Sequence, residues 1–289
     1  MATLASSPLI LGAVAYDPKV VTIWEGFREY FCAHGLNFDY VLFSNYERQV
    51  EAHFRGHIDV AWNSPLAWLQ SLMLGKSLGR EVEALCMRDS DRDLTSVLVV
   101  RGDSAIKHLA DLRGRKLAVG AADSPQATLI PMELLSGHEL LPERDYELLG
   151  FDRLVGKHGD HIGGERDAAQ ALMRGRADAA AMLDGNLTLF SREGTLPPGS
   201  FRVLAQTPPY DHCNLTVMAD AAATPSVQHL RQLLLDMSYA DPRVRPLLDL
   251  EGLKRWLPGR TSGYQQLAAA VARFHTADEF VSQVAARWR

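Results

Sequence analysis

The sequence predicts an α/β protein of two similar lobes, each a mostly parallel sheet flanked by helices. Three observations carry that prediction. First, Arg55-Gly56-His57-Ile58-Asp59 returns as Arg174-Gly175-Arg176-Ala177-Asp178, inside two longer phrases at 49–65 (QVEAHFRGHIDVAWNSP) and 170–186 (QALMRGRADAAAMLDGN). Each copy reads as a helix with apolar residues at helical spacing, a Gly stop, an Asp and a short apolar strand that empties into polar residues. Second, strand-like and helix-like runs alternate through short connections, the pattern of a parallel sheet covered on both faces. Third, 289 residues with 47% hydrophobic content suffice to bury two cores without staples.

Taken in order, Leu9 to Ala15 reads as a buried strand. Pro18 to Ala33 comes next as a helix with Pro at its start and a Gly35 stop, turning Val21, Trp24, Phe27 and Phe31 inward. Phe38 to Phe43 is the next strand, Tyr46 to Arg55 the next helix and Ile58 to Trp62 the third strand. Ser64 caps a helix from Pro65 to about Leu74. Glu83 to Met87 and Thr95 to Val100 are two strands joined by the charged turn at 89–93, and Arg101-Gly102-Asp103 is a crossover into a second lobe. That lobe contains the strand Lys116 to Gly120, a helix through Leu135, Tyr146 to Phe151, the helix Arg166 to Arg174, the strand Asp178 to Met182, and Phe201 to Ala205.

Leu215 to Met218 is the return strand. From Pro225 onward the chain reads as helical, at 227–239, 244–250 and 264–274, packing on the first lobe. The resulting organisation is lobe 1 at 1–100 plus 213–289 and lobe 2 at 101–212, joined by a two-strand hinge that permits closure over a ligand. In open α/β sheets ligands sit beyond the carboxyl ends of the strands, which here carry Asn63-Ser64 and Asp184-Gly185-Asn186.

The net charge of −5, a pI near 6.1 and scattered basic residues disfavour nucleic-acid binding. No run of about eighteen apolar residues occurs, which argues against a membrane-inserted helix. The first residues carry no basic n-region, so the chain as sequenced reads as cytoplasmic, or as periplasmic if a leader has been removed. Cys32, Cys86 and Cys213 are too few and too widely spaced for a disulfide framework. Neither a Walker loop nor a GxGxxG is present, so nucleotide use has no support. No cofactor is called for, and metal remains a minority alternative.

In order and spacing, Gly12-Ala13-Val14-Ala15-Tyr16, Asn45-Tyr46, Ile58-Asp59-Val60-Ala61-Trp62, Ser96-Val97-Leu98-Val99-Val100, Asp111-Leu112-Arg113-Gly114 and Arg174 to Asp178 resemble the PhnD-like phosphate, phosphite and phosphonate binders of ABC transporters. The resemblance covers nearly the whole chain. It implies a two-lobed periplasmic-binding-protein fold of type II, a small polar or anionic ligand in the cleft, and an ABC permease as partner if the chain is exported. Relative to that family's anion pocket, Asn63 stands where an aromatic follows the third strand, Ser124-Pro125-Gln126 where a Ser-Thr-Ser cluster grips the anion, and Cys213 where a carboxylate follows the return segment.

Several side chains are candidate ligand contacts. Ser124 and Gln126 sit where a strand feeds a helix, so free N–H groups and the positive end of a helix dipole suit an oxyanion; Ser124 as a plain helix cap is the bland alternative. Asn63 and Ser64 mark the equivalent place in the first lobe, with capping again the alternative for Ser64. Tyr16 and Tyr46 offer aromatic rings with polar tips, against ordinary packing. Asp184 comes directly after the second copy's strand. His161 belongs to a Gly-rich loop, KHGDHIGGE at 157–165, and His212 and Cys213 to the return segment.

Two functional classes stay open. One is a solute-binding module using the residues just named. The other is a cytoplasmic lyase- or decarboxylase-like enzyme on the same fold, with His212 or His161 as general base or metal ligand and Cys213 as ligand or nucleophile. The corresponding metal set is His158, His161, His212 and Cys213. The bland reading is a mobile polar loop and a small buried thiol.

Overall fold

The computed structural model describes residues 7–159 and 162–288. Its elements run β1 (Leu9–Val14), α1 (Lys19–Ala33), β2 (Phe38–Phe43), α2 (Tyr46–Phe54), β3 (Val60–Asn63), α3 (Pro65–Leu78), β4 (Val82–Arg88), β5 (Ser96–Arg101), β6 (Lys116–Val119), α4 (Ile130–Ser136), β7 (Glu147–Gly150), α5 (Glu165–Met173), β8 (Ala179–Leu183), α6 (Asp184–Arg192), β9 (Phe201–Gln206), β10 (Asn214–Met218), α7 (Pro225–Asp236), α8 (Arg245–Glu251), β11 (Trp256–Pro258), α9 (Gln265–Phe274) and α10 (Asp278–Ala286). They form two compact units. Unit 1 takes Met1–Arg92, His212–Ser262 and Ala277–Arg289, and unit 2 takes Asp93–Asp211 and Gly263–Thr276.

Each unit has one sheet, and the two sheets share one plan. Unit 1 has the order β11-β4-β10-β3-β1-β2 and unit 2 the order β7-β6-β8-β5-β9. In both, the first strand pairs in parallel with the second on one side and the third on the other. A strand from elsewhere in the chain, β10 or β5, then adds antiparallel to the third. The sheets are therefore mixed, parallel where strand and helix alternate and antiparallel where a non-sequential strand enters.

The doubled phrase is a doubled structure. Gly56 and Gly175 both take left-handed backbone, at φ 72° and 70°, a conformation that a side chain penalises. Asp59 accepts from the Ile10 N–H at 2.7 Å and donates its own N–H to the Ile10 carbonyl; Asp178 does the same with Lys116, at 2.9 Å. Each Asp thus pins its incoming strand to the first strand of its own sheet.

Several elements depart from expectation. The inward stripe of α1 is Val20, Ile23, Trp24, Phe27 and Phe31, at i, i+3, i+4, i+7 and i+11, so Val21 points outward and is exposed. The strands β4 and β5 do not pair: the turn at Asp89–Asp91 carries the chain out of the unit 1 sheet, and β5 lies between β8 and β9 in unit 2. The unit boundaries accordingly fall at 92/93 and 211/212. The tail is shared, since α9 packs on α4 in unit 2 while α10 packs on α3 in unit 1. Its helical reading also missed β11, which pairs with β4, and α6 begins directly at Asp184.

Candidate functional site

Both sheets have a switch point where chain order reverses, at the carboxyl ends of β1 and β3 in unit 1 and of β6 and β8 in unit 2. Ligand crevices of open α/β sheets form at such points.

In unit 1, β3 ends on Asn63, paired with Asn214 at the start of β10. Asn63 is wholly buried. Its carbonyl oxygen accepts from Gln49 Nε2 at 2.9 Å, and its Nδ2 donates to Thr216 Oγ1 at 2.9 Å and Ser71 Oγ at 3.4 Å. The amide is committed to tying α2, α3 and β10 to the strand end. Ser64 is also buried and caps α3, accepting from the Ala67 N–H at 3.1 Å. Tyr46 opens α2 beneath the Asn45 cap and lies in a core with Val14, Val50, Phe54 and Leu74. Tyr16, just past β1, is half-buried, with Lys19 Nζ 5.8 Å above its ring.

In unit 2, β6 stops at Val119, and residues Pro125–Leu129 form a π-turn that leads into α4. Single π-turns recur at functional sites because the widened turn re-aims backbone groups. Ser124 Oγ caps this turn by accepting from the Ala127 N–H at 3.3 Å, and Thr128 Oγ1 donates to the Ala121 carbonyl at 2.8 Å. Gln126 is buried, its Nε2 donating to the Gly159 carbonyl at 2.8 Å, while its own backbone carbonyl accepts from Ser96 Oγ at 2.6 Å. Ser96 Oγ also pairs with the Tyr210 hydroxyl at 2.7 Å, and burial pushes that phenol far above its ordinary pKa, keeping it protonated.

The loop after β7 folds tightly onto this turn. A Cβ on Gly159, whose φ is +62°, would fall 2.5 Å from Ser124 Oγ, and one on Gly120 would fall 2.7 Å from the Gly163 carbonyl oxygen. Glycine at these places lets backbone meet backbone over the helix start. His158 in this loop is buried, and His161 lies outside the described residues. Sequence reasoning missed Glu165 as an organiser of the site. Its Oε2 accepts from the Leu183 N–H at 2.8 Å and Asn186 Nδ2 at 2.6 Å, joining the end of β8 to α5. Asp184, half-buried, accepts from Thr95 Oγ1 and Gln206 Nε2, both at 3.3 Å.

His212 and Cys213 belong to unit 1, together with Asp91, which sequence reasoning did not single out. His212 Nδ1 lies 3.1 Å from Cys213 Sγ and 3.5 Å from Asp91 Oδ1. Burial alone would raise the Asp91 carboxyl, but the adjacent Arg88 guanidinium and His212 hold it down at about 2. A nucleophile–base relay needs the nucleophile on one imidazole nitrogen and the orienting carboxylate on the other. Here both approach Nδ1, so the expected general-base and nucleophile roles have no relay geometry. Of the expected metal set, His212 and Cys213 belong to unit 1, His158 to unit 2 and His161 lies outside the described residues; the described donors that converge are Asp91, His212 and Cys213.

Two α/β units with switch-point polar turns, linked by several chain crossings, define a binding-protein architecture. The family model for the ABC transporter, phosphonate, periplasmic substrate-binding protein matches residues 13–264, and the chain belongs to that family. Solved structures agree on the fold. PhnD1 from Prochlorococcus marinus, in complex with methylphosphonate, is similar with a TM-score of 0.67 at 15% identity, over 93% of this chain and 98% of that one. XAC2383 from Xanthomonas citri bound to ATP gives 0.67 at 21% identity, over 96% and 98%. The periplasmic aliphatic sulphonate binding protein SsuA from Escherichia coli gives 0.55 at 16%, over 93% and 87%.

The protein is thus a solute-binding protein of the ABC-transporter type. The enzyme alternative finds no support in these relationships, and neither does the cytoplasmic reading. Among the described residues no helix is long and apolar enough to cross a membrane.

Proposed function

We propose that this protein captures a small oxyanion of the phosphonate or sulfonate class and delivers it, from the periplasm, to an ABC permease. The observation that carries the reading is the turn Ser124–Leu129, set at the unit 2 switch point of a chain that belongs to the phosphonate-binding family. The start of a helix offers N–H donors and a positive dipole end to an anion, without the desolvation cost of a buried lysine. Ser124 and Gln126 shape that turn, and Asp184 and Tyr16 flank the strand ends of their own units. Asn63, Ser64 and Tyr46 support the frame, because their polar groups or rings are already engaged within unit 1.

The methylphosphonate complex of PhnD1 supports the phosphonate arm and the sulphonate-binding SsuA the sulfonate arm. Calorimetric titration with methylphosphonate, inorganic phosphate, methanesulfonate and acetate discriminates them. Binding of at least one tetrahedral oxyanion is expected, with a stabilisation of about 2.7 kcal/mol at a ligand concentration of a hundred times Kd. Absence of binding and of any melting shift with all four at millimolar concentration would refute the proposal.

A further inference from the structure

We propose that Asp91, His212 and Cys213 form a three-ligand site for a thiophilic divalent metal of the zinc class on unit 1. The three donor atoms all lie within 4.8 Å of one another. In a tetrahedral zinc site with Zn–S near 2.3 Å and Zn–N and Zn–O near 2.0–2.1 Å, donors stand roughly 3.3–3.6 Å apart. The observed 3.1 Å from Nδ1 to Sγ and 3.5 Å from Nδ1 to Oδ1 differ from that spacing by a few tenths of an ångström. The third separation, from Sγ to the carboxylate, is within 4.8 Å, so a shared ion requires the Cys213 and Asp91 side chains to close toward it by rotamer change.

The donors are fixed by elements around them. As whole residues Cys213 is 3% exposed, Asp91 2% and His212 9%, so the site is shielded. The His212 N–H donates to the Asp91 carbonyl at 2.8 Å, locking the two segments together. Arg88 grips Asp91 through Nε and Nη2, and through Nη1 also reaches the Glu251 carboxylate at 3.1 Å. Such outer hydrogen bonds orient a ligating carboxylate, and this arginine is shared with a second acid. A thiolate, an imidazole and a carboxylate make a donor set that favours zinc over magnesium or calcium, which prefer all-oxygen shells. Three protein ligands leave the fourth position to water.

The test uses chelator-stripped full-length protein under a thiol-free reductant, titrated with Co2+ and then Zn2+. One equivalent of Co2+ with a thiolate-to-cobalt charge-transfer band in the near ultraviolet, displaced by Zn2+, is expected. Cys213→Ser should abolish the band, and His212→Gln, which removes a ligand, should weaken Co2+ binding by at least the roughly 10- to 100-fold that loss of an outer-shell partner causes. Cys32→Ser, at an exposed thiol, should leave both unchanged. Absence of the band in folded wild-type protein, its persistence in Cys213→Ser, or its loss in Cys32→Ser would each overturn the proposal. If Cys213→Ser does not fold, the His212→Gln and Cys32→Ser pair decides. Failure here leaves oxyanion binding untouched, since that is read by a separate titration in chelator.

Discussion

His53 makes unit 1 acid-sensitive by an amount that can be worked out from its burial. It sits on α2, 1% exposed, with no hydrogen-bond partner among the described residues on either ring nitrogen, although the Asp59 backbone lies close by. Desolvation therefore holds its pKa down at about 4, against an ordinary 6.5. The unfolded chain takes up a proton first, so stability is whole above pH 6.5 and is lost as pH falls toward 4. The full effect is about 3 kcal/mol, of which about 2.5 kcal/mol is gone at pH 4.5.

The chain itself suggests the test variant. In the doubled phrase His53 corresponds to Leu172, which is fully buried on α5, so His53→Leu installs the residue that the second copy already uses. All five tryptophans fall in unit 1, so their fluorescence reports that unit's unfolding while circular dichroism reports both. Urea denaturation at pH 7 and pH 4.5 should show the fluorescence transition of the wild type losing about 2.5 kcal/mol more than that of His53→Leu. The Asp91 carboxyl, held at about 2, titrates below this window and does not confuse it. Parallel losses in wild type and variant would refute the reasoning.

Four further outcomes are expected. Asn63→Ala removes one acceptor of Gln49 Nε2 and the donor to Thr216 Oγ1, which keep their bonds to the Trp62 carbonyl and Asn214 Oδ1, and should cost about 1–3 kcal/mol by urea denaturation followed through tryptophan fluorescence. Gly159→Ala costs about 1–2 kcal/mol for left-handed backbone and drives a methyl into Ser124, so it should lower oxyanion affinity at least tenfold in calorimetry. Gly185→Ala, on α6 with open space around it, should instead stabilise by up to about 1 kcal/mol and leave that affinity unchanged. Glu165→Gln replaces a carboxylate that accepts from Leu183 and Asn186 and should cost about 1–3 kcal/mol, read as a lower circular-dichroism melting temperature.

The features legible in the sequence are those that local pattern determines. Gly56 and Gly175 announce left-handed helix ends, and Asp59 and Asp178 occupy matching places in a duplicated phrase, so the repeated sheet plan can be read along the chain. The features that stayed hidden depend on residues far apart in sequence. Asn63 reads as a free polar group at a strand end, and only the packing of Gln49, Ser71 and Thr216 around it uses up its amide. His212 and Cys213 read as a reactive pair, and only Asp91, brought beside them where β4 leaves its sheet, turns a pair into a converging set. The tail looked uniformly helical because β11 has three residues, too short to show a period of two, and its pairing with β4 supplies the bonds that make it a strand.

The divergence of the two copies then carries functional meaning. Where unit 1 buries His53 and Asn63, the equivalent positions in unit 2 are Leu172 and Met182, both fully buried and apolar. Unit 1 thus uses Asn63 to lock the strand end from within. In unit 2 the β8 strand is apolar up to its end, and the buried polar side chains gather instead on the turn after β6 and around Glu165. A duplicated frame tolerates this split because Asp59 and Asp178 hold both sheets in register whichever residues occupy the strand ends beyond them. The second unit is therefore the one whose strand-end polar groups are organised around a backbone turn.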